Sequence, residues 1–291
     1  MTYAPDIPFA TLSPDLILDA VDSLGIKTDG SLLVLNSYEN RVYQLGINDA
    51  SPLVVKFYRP NRWTDEQILE EHAFVQSLAN AEIPAVPAIQ INHQTLFQHS
   101  GFRFSLFSKH GGRAPELDRE GVLEWIGRFV GRIHSIGSTQ PFQHRPCLDI
   151  ESFGELPSQY LLASEFIPLE LREVYRGVVA QALDGIKRCY ERAGDVDLIR
   201  LHGDCHMGNL LWTDDGPHFV DFDDSRMGPA VQDLWMMLSG SPEEMKQQMN
   251  QILLGYEDFF DFNLQELHLI EALRTLRLIH YAAWIAVRWD D

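Results

Sequence analysis

An aspartate in a glycine turn, an asparagine five residues on and a second aspartate twelve residues later can together move a phosphoryl group. The first two lie in His202-Gly203-Asp204-Cys205-His206-Met207-Gly208-Asn209, the third in Val220-Asp221-Phe222-Asp223-Asp224. A carboxylate held in a tight turn can orient an alcohol and accept its proton. An amide carbonyl and a carboxylate, completed by phosphate oxygens and water, suit Mg²⁺. These are the parts that pass the γ-phosphoryl of ATP to a hydroxyl. Asp204 is the expected proton acceptor, and Asn209 and Asp221 are the expected magnesium ligands. Asp223 is read either as a second metal ligand on the same strand face as Asp221 or as a capping or solvated acid. His202, Cys205 and His206 invite a zinc reading, but no second Cys or His cluster completes a ligand set. A structural role beside Asp204 suits the two histidines better.

A phosphate also needs a cation. Lys56 ends the apolar run Leu53-Val54-Val55 and precedes an acidic segment, Glu70-Glu71-His72, that can supply a carboxylate to hold it. The loop Asn36-Ser37-Tyr38-Glu39-Asn40 would cover the phosphates. It has no glycine, and neither a Gly-x-Gly-x-x-Gly nor a Walker A pattern occurs. Backbone N–H groups or the Ser37 hydroxyl must then make those contacts. The basic, aromatic stretch from Lys56 to Trp63 reads as surface close to a substrate.

The elements that must position these groups follow from periodicity. A Ser13 cap and Pro14 open a short helix to Leu24. Leu32–Leu35, Arg41–Ile47 and Leu53–Tyr58 read as strands. Thr64 and Gln67 form a capping box for the next helix. Ala85–Ile91 and Phe102–Phe107 read as further strands, and the breaker-rich Lys109–Pro115 as a hinge. Beyond it, Glu120–Ser135, Leu169–Arg192, Glu243–Phe260 and Leu264–Trp289 read as helices. Leu198–His202, Leu210–Thr213 and His218–Phe222 read as a small β element turning at Asp214-Asp215-Gly216. The expected architecture is two-lobed α+β, with residues 1–108 a β-rich nucleotide lobe, 109–291 a larger, mainly helical catalytic lobe, and a cleft between them.

Composition bounds the partners. The 291 residues are 45% apolar and carry a net charge of −19, which argues against a nucleic acid or an anionic membrane. It favours a cationic acceptor. Three scattered cysteines offer no disulfide framework, so a reducing cytoplasm is expected. No basic, apolar leader opens the chain, and the longest apolar run, Tyr281–Val287, is too short to span a bilayer.

The signature residues resemble the aminoglycoside phosphotransferase and choline kinase superfamily, whose fold is protein-kinase-like. Asn36–Tyr43, Val54–Pro60, Asp221–Asp224 and Gly228–Trp235 are most similar to the bacterial stress response kinase A family. The resemblance implies a cytoplasmic Ser/Thr protein kinase of the stress response that uses ATP and Mg²⁺. It implies Asp204 and Asp221 as the catalytic pair and Asn209 and Asp221 as metal ligands. Lys56 and Glu71, rather than Glu70, become the phosphate-binding pair, and Ser37 a nucleotide contact. Two departures stand out. The nucleotide loop lacks glycine, and the chain stops at Trp289-Asp290-Asp291 where the family continues. The expected partner is a protein Ser or Thr hydroxyl, or alternatively a small cationic alcohol such as an amino alcohol, aminoglycoside or sugar. A nucleotide-binding pseudokinase is disfavoured by the complete Asp204, Asn209, Asp221 set. A monomer is expected.

Overall fold

The computed structural model describes residues 8–214 and 216–289. The chain divides into two compact units. The first runs as far as Ala114 and takes in Leu210–Asp223; the second comprises Pro115–Asn209 and Asp224 onward. Residues 1–7, where a leader would lie, Asp215 of the expected turn, and Asp290 and Asp291 fall outside the described residues.

The first unit opens with α1 (Pro14–Asp22), capped by the Ser13 hydroxyl as its sequence requires. Then come β1 (Thr28–Leu35), β2 (Arg41–Ile47), β3 (Ala50–Phe57), α2 (Asp65–Asn80), β4 (Phe97–His99) and β5 (Phe102–Ser108). The strands form one antiparallel sheet in the order β1-β2-β3-β5-β4. Ile17, Ala20 and Val21 of α1 join Leu45, Val55, Phe57, Phe104 and Leu106 in its core. The Thr64–Gln67 capping box is present at the start of α2.

Ala85–Ile91 is not a strand. It makes isolated bridges through Ala85, Ala88 and Ile91, because Pro84 and Pro87 lack the N–H groups a ladder needs.

The second unit is mainly helical. It contains α3 (Val122–Gly137), α4 (Leu156–Ala163), α5 (Arg172–Ala193) and the strand β6 (Ile199–Leu201). A hairpin of the first unit follows, β7 (Leu210–Thr213) and β8 (Gly216–Phe219). The second unit resumes with β9 (Arg226–Gly228), paired antiparallel to β6. After it come α6 (Val231–Trp235), α7 (Pro242–Tyr256) and α8 (Ile270–Val287). The strand read over His218–Phe222 therefore ends at Phe219. Phe222–Asp224 is a 3₁₀ turn, and Asp221 has a positive φ of 61°, which no strand accommodates. Among the described residues, no helix is long and apolar enough to cross a membrane.

Helices α3 and α7 meet at close quarters. A Cβ built on Gly255 would lie 1.9 Å from the Glu124 carbonyl oxygen, and one on Gly127 2.0 Å from that of Ile252. Backbone cannot yield as a side-chain tip can, so Gly255→Ala should overpack the pair at a cost of about 1–3 kcal/mol. Gly177, exposed within α5, has open space around its missing Cβ. There the same substitution should stabilise by about 0.5–1 kcal/mol through helix propensity. Thermal melts of the two variants should move in opposite directions. A Gly255→Ala variant that melts with the wild type would show that the helices are free to separate.

Candidate active site

The turn that carries Asp204 begins where β6 ends. Gly203 adopts φ +86°, and a Cβ there would meet the Asp224 backbone oxygen at 2.1 Å, so the position needs glycine on both counts. Asp233 of α6, fully buried, fixes the turn. Its Oδ2 accepts from the His202 N–H at 2.8 Å and its Oδ1 from the Gly203 N–H at 2.9 Å. His134 Nε2 lies 3.1 Å from Asp233 Oδ2, and His134 Nδ1 lies 2.8 Å from the Tyr256 hydroxyl. Burial, with the carboxylates of Glu266 and Asp233, pushes the Tyr256 phenol well up. It stays protonated and donates to Nδ1, which leaves Nε2 carrying the hydrogen that meets Asp233.

Asp204 follows this clamped backbone. Asn209, brought round by the 3₁₀ turn Met207–Asn209, donates its amide to the Asp204 carbonyl at 2.9 Å and reaches Asp204 Oδ2 at 3.5 Å. The amide nitrogen being so engaged, the Asn209 carbonyl oxygen is the atom left for a cation. His206 Nε2 stands 3.4 Å from Asp204 Oδ2, and Arg277 Nη2 of α8 stands 2.8 Å from Oδ1. The Arg277 contact is an ion pair without hydrogen-bond alignment, since Oδ1 is buried and accepts no hydrogen bond. Burial pushes the Asp204 carboxyl up, but the His206 hydrogen bond and the Arg277 charge outweigh it. They hold Asp204 well below the usual carboxylate range. So weak a base suits orienting a hydroxyl and taking its proton late in the transfer.

In the first unit the expected phosphate-binding lysine is buried. Lys56 Nζ bonds Asp221 Oδ1 at 2.9 Å and lies 3.2 Å from Asp223 Oδ1. Burial works against its charge, yet the carboxylates of Asp221, Asp223 and Glu71 prevail and hold it well above the usual lysine range. Glu71, on the inner face of α2, is itself buried. The two aspartates differ sharply: the Asp221 side chain is 55% exposed and that of Asp223 is 3%. Asp223 also pairs with Arg62. A buried, doubly paired carboxylate holds cations of the chain in place, whereas an exposed one can reach a metal. Asp223 is neither solvated nor on a strand. Ser37 turns its hydroxyl to the Asn40 carbonyl at 3.1 Å, inside its own loop. Glu39 of that loop pairs with Arg59 and Arg62, and Asn40 accepts the Arg59 N–H at 3.0 Å.

A family model described as the phosphotransferase enzyme family matches residues 32–270. The chain belongs to that family. Stress response kinase A of Escherichia coli (strain K12) is 45% identical over 283 residues, covering 97% of this chain and 85% of that one. A Salmonella typhimurium relative named serine/threonine protein kinase RdoA is 42% identical over the same shares. The chain is thus a kinase of the stress response kinase A group. Among solved structures, an amicoumacin kinase in complex with AMP-PNP and Ca²⁺ superposes with a TM-score of 0.74 at 18% identity, covering 90% of this chain and 82% of its own. A microcompartment-associated aminopropanol kinase gives the same score and identity over 94% and 89%. These likenesses show the kinase-like α+β fold.

Sequence reasoning gave Asp233, Arg277 and His134 no part in the site. An Asp set between the apolar Val231 and Leu234 was the available signal for Asp233. Glu266 was missed too. Its Oε2 accepts the Val231 N–H at 2.8 Å and so caps the helix that carries Asp233. Burial foremost, with the nearby Asp197, raises its carboxyl from 4.5 to about 7. The folded chain thus holds a proton between those values that the unfolded chain has lost, so stability falls as pH rises through this window and levels off above it. Glu266→Gln keeps an oxygen acceptor and removes the titration. Relative to wild type it should gain on the order of 3 kcal/mol between pH 4.5 and 8. Parallel melting curves for the two proteins across that range would refute the assignment.

Proposed function

We propose that the chain is an ATP- and Mg²⁺-dependent kinase acting on Ser and Thr hydroxyls of proteins in the cytoplasm. The observation that carries the phosphotransfer reading is the ionised Asp204, presented on a backbone clamped by Asp233 with Asn209 bonded to it. The protein acceptor is supported by the name of the 42% identical relative. A second reading, a small alcohol as acceptor, draws on the names of two structural neighbours, an amicoumacin kinase and an aminopropanol kinase.

In this reading residues 1–108 hold the nucleotide and 109–291 supply the catalytic turn. Lys56, permanently charged, grips the phosphates once they draw it from Asp221, and Glu71 keeps a negative charge behind it. Backbone N–H groups and Ser37 line the loop over the nucleotide. Ser37 does so after releasing Asn40. Asn209 and Asp221 are the groups that would hold Mg²⁺. Their donors are oxygens, as a hard cation requires, and the ion would neutralise charge on the phosphates. Asp204 aligns the acceptor hydroxyl and receives its proton. Asp221 would be catalytic by holding the metal, so that catalysis would rest on positioning and charge.

Transfer of labelled γ-phosphate from Mg²⁺-ATP to Ser- and Thr-containing proteins tests this. Asp204→Ala should lower the rate on the order of 10²–10⁴-fold while ATP still binds. Asp221→Ala should lose both transfer and the affinity for Mg²⁺-ATP. Label confined to amino alcohols would favour the second reading. Unchanged metal affinity in Asp221→Ala would remove that residue from the site.

A further inference from the structure

Arg277 has no part in the chemistry derived so far, yet it stands at the reacting carboxylate. Asp204 Oδ2 already faces His206 and Asn209. Oδ1 accepts no hydrogen bond, although it is shut off from solvent, so it is the atom free to take a hydroxyl proton. Arg277 Nη2 lies 2.8 Å from that same oxygen, too close to leave room for a hydroxyl in line with it. Among the described residues Asp204 is the one carboxylate paired with Arg277, whose side chain is 40% exposed and able to swing outward. Arg226 and Arg288 lie near enough to act, with Arg277, on the neighbouring His280. Arg226 is already paired with Asp224 at 2.8 Å. This is a local concentration of cations in a chain of net charge −19.

We propose that Arg277 selects the acceptor: in the empty enzyme its guanidinium fills the place of the hydroxyl beside Asp204, and it is handed over to a carboxylate flanking the substrate Ser or Thr. The preferred acceptor is then a hydroxyl in an acidic protein segment. The inference rests on the protein-kinase reading above and adds the chemistry of the acceptor to it. A displaced guanidinium regains a bidentate partner from an acidic flank. A neutral flank leaves it only water, and a basic flank sets like charges against it, which is how specificity is built from repulsion as well as attraction. The transfer itself balances without Arg277. The hydroxyl oxygen bonds to the γ-phosphorus of ATP, the bond from that phosphorus to the ADP oxygen breaks, and the hydroxyl proton passes to Asp204.

The test is steady-state transfer at saturating Mg²⁺-ATP to three peptides. Each carries one Ser, and they differ only in Asp/Glu, Ala or Lys flanks. Wild type should favour the acidic over the basic peptide by about tenfold or more in kcat/KM, the scale of one charge-assisted hydrogen bond, mostly through KM. Arg277→Gln should lose the preference among the three flanks, whatever its rate on the neutral peptide. Arg277→Glu should reverse the preference. The wild-type comparison needs no variant, so a misfolded mutant cannot obscure the result. Indifference of the wild type to the flanks would overturn the proposal. So would an equal loss on all three peptides in Arg277→Gln, since that would make Arg277 merely an orienter of Asp204. Label on no peptide, with amino alcohols phosphorylated instead, would overturn the protein-kinase reading and this inference with it. Flank-indifferent transfer would overturn the inference alone.

Discussion

One carboxylate without access to water, that of Asp233, receives two backbone N–H groups of the turn that leads into Asp204 and faces the His134 ring. Each of those N–H groups would otherwise be buried unpaired, at a cost of about 1–3 kcal/mol apiece. A charge so deep is tolerable only if every lone pair is met. His134 brings α3 into the arrangement, Tyr256 brings α7, and Glu266 caps the helix on which Asp233 sits. The glycines that let α3 and α7 approach at backbone distance therefore serve the active site at one remove. They set the spacing at which His134 and Tyr256 can touch. Asp204 inherits a fixed backbone from this network, and only its side chain is left to respond to substrate.

The first unit solves a different electrostatic problem. A buried ammonium at Lys56 is sustained by Asp221, Asp223 and Glu71, and cations and anions alternate outward through Arg62, Glu39 and Arg59. The absence of glycine from the loop Asn36–Asn40 has a physical counterpart here. A glycine loop closes on phosphate by its own flexibility, whereas this loop is tied by Glu39 and Asn40 to the chain leaving β3. The division of labour between Asp221 and Asp223 follows from exposure. Asp223 spends its charge on Lys56 and Arg62. Asp221, on a backbone with positive φ, pairs with Lys56 while more than half of its side chain stays open to solvent.

What was legible in the sequence was local. The Asp204–Asn209 spacing is closed by a single 3₁₀ turn, and the capping box at Thr64 and the Ser13 cap are contacts across three residues. The strands flanking Lys56 showed their alternation directly. Ala85–Ile91 misled because its apolar run outweighed two prolines in the reading. Asp221 and Asp223 misled because period-two alternation assumes a strand, and the left-handed residue at Asp221 breaks the alternation, sending one side chain out and the other in. Asp233, His134 and Arg277 carried no spacing signal that tied them to Asp204. Each sits on a helix whose own pattern is ordinary, and its role arises from a contact with a turn distant in the chain.

Net charge and local charge act over different ranges. Diffuse acidity of −19 steers an approaching partner and is screened beyond roughly 8–10 Å in physiological salt. At contact the nearest groups decide, because attraction grows as distance shrinks and the partly dry surroundings weaken it less. A guanidinium 2.8 Å from Asp204 therefore governs which hydroxyl fits, whatever the whole surface attracts. The two effects work against each other for an acidic acceptor. It must approach through a repulsive field and gains its affinity only on docking. Such an enzyme should capture its acidic acceptor faster as salt screens the long-range field. Salt would slow capture of a basic acceptor, drawn in by that field. The salt dependence of the encounter thus reports on the surface, and the change in flank preference between wild type and Arg277→Gln at one salt concentration reports on Arg277.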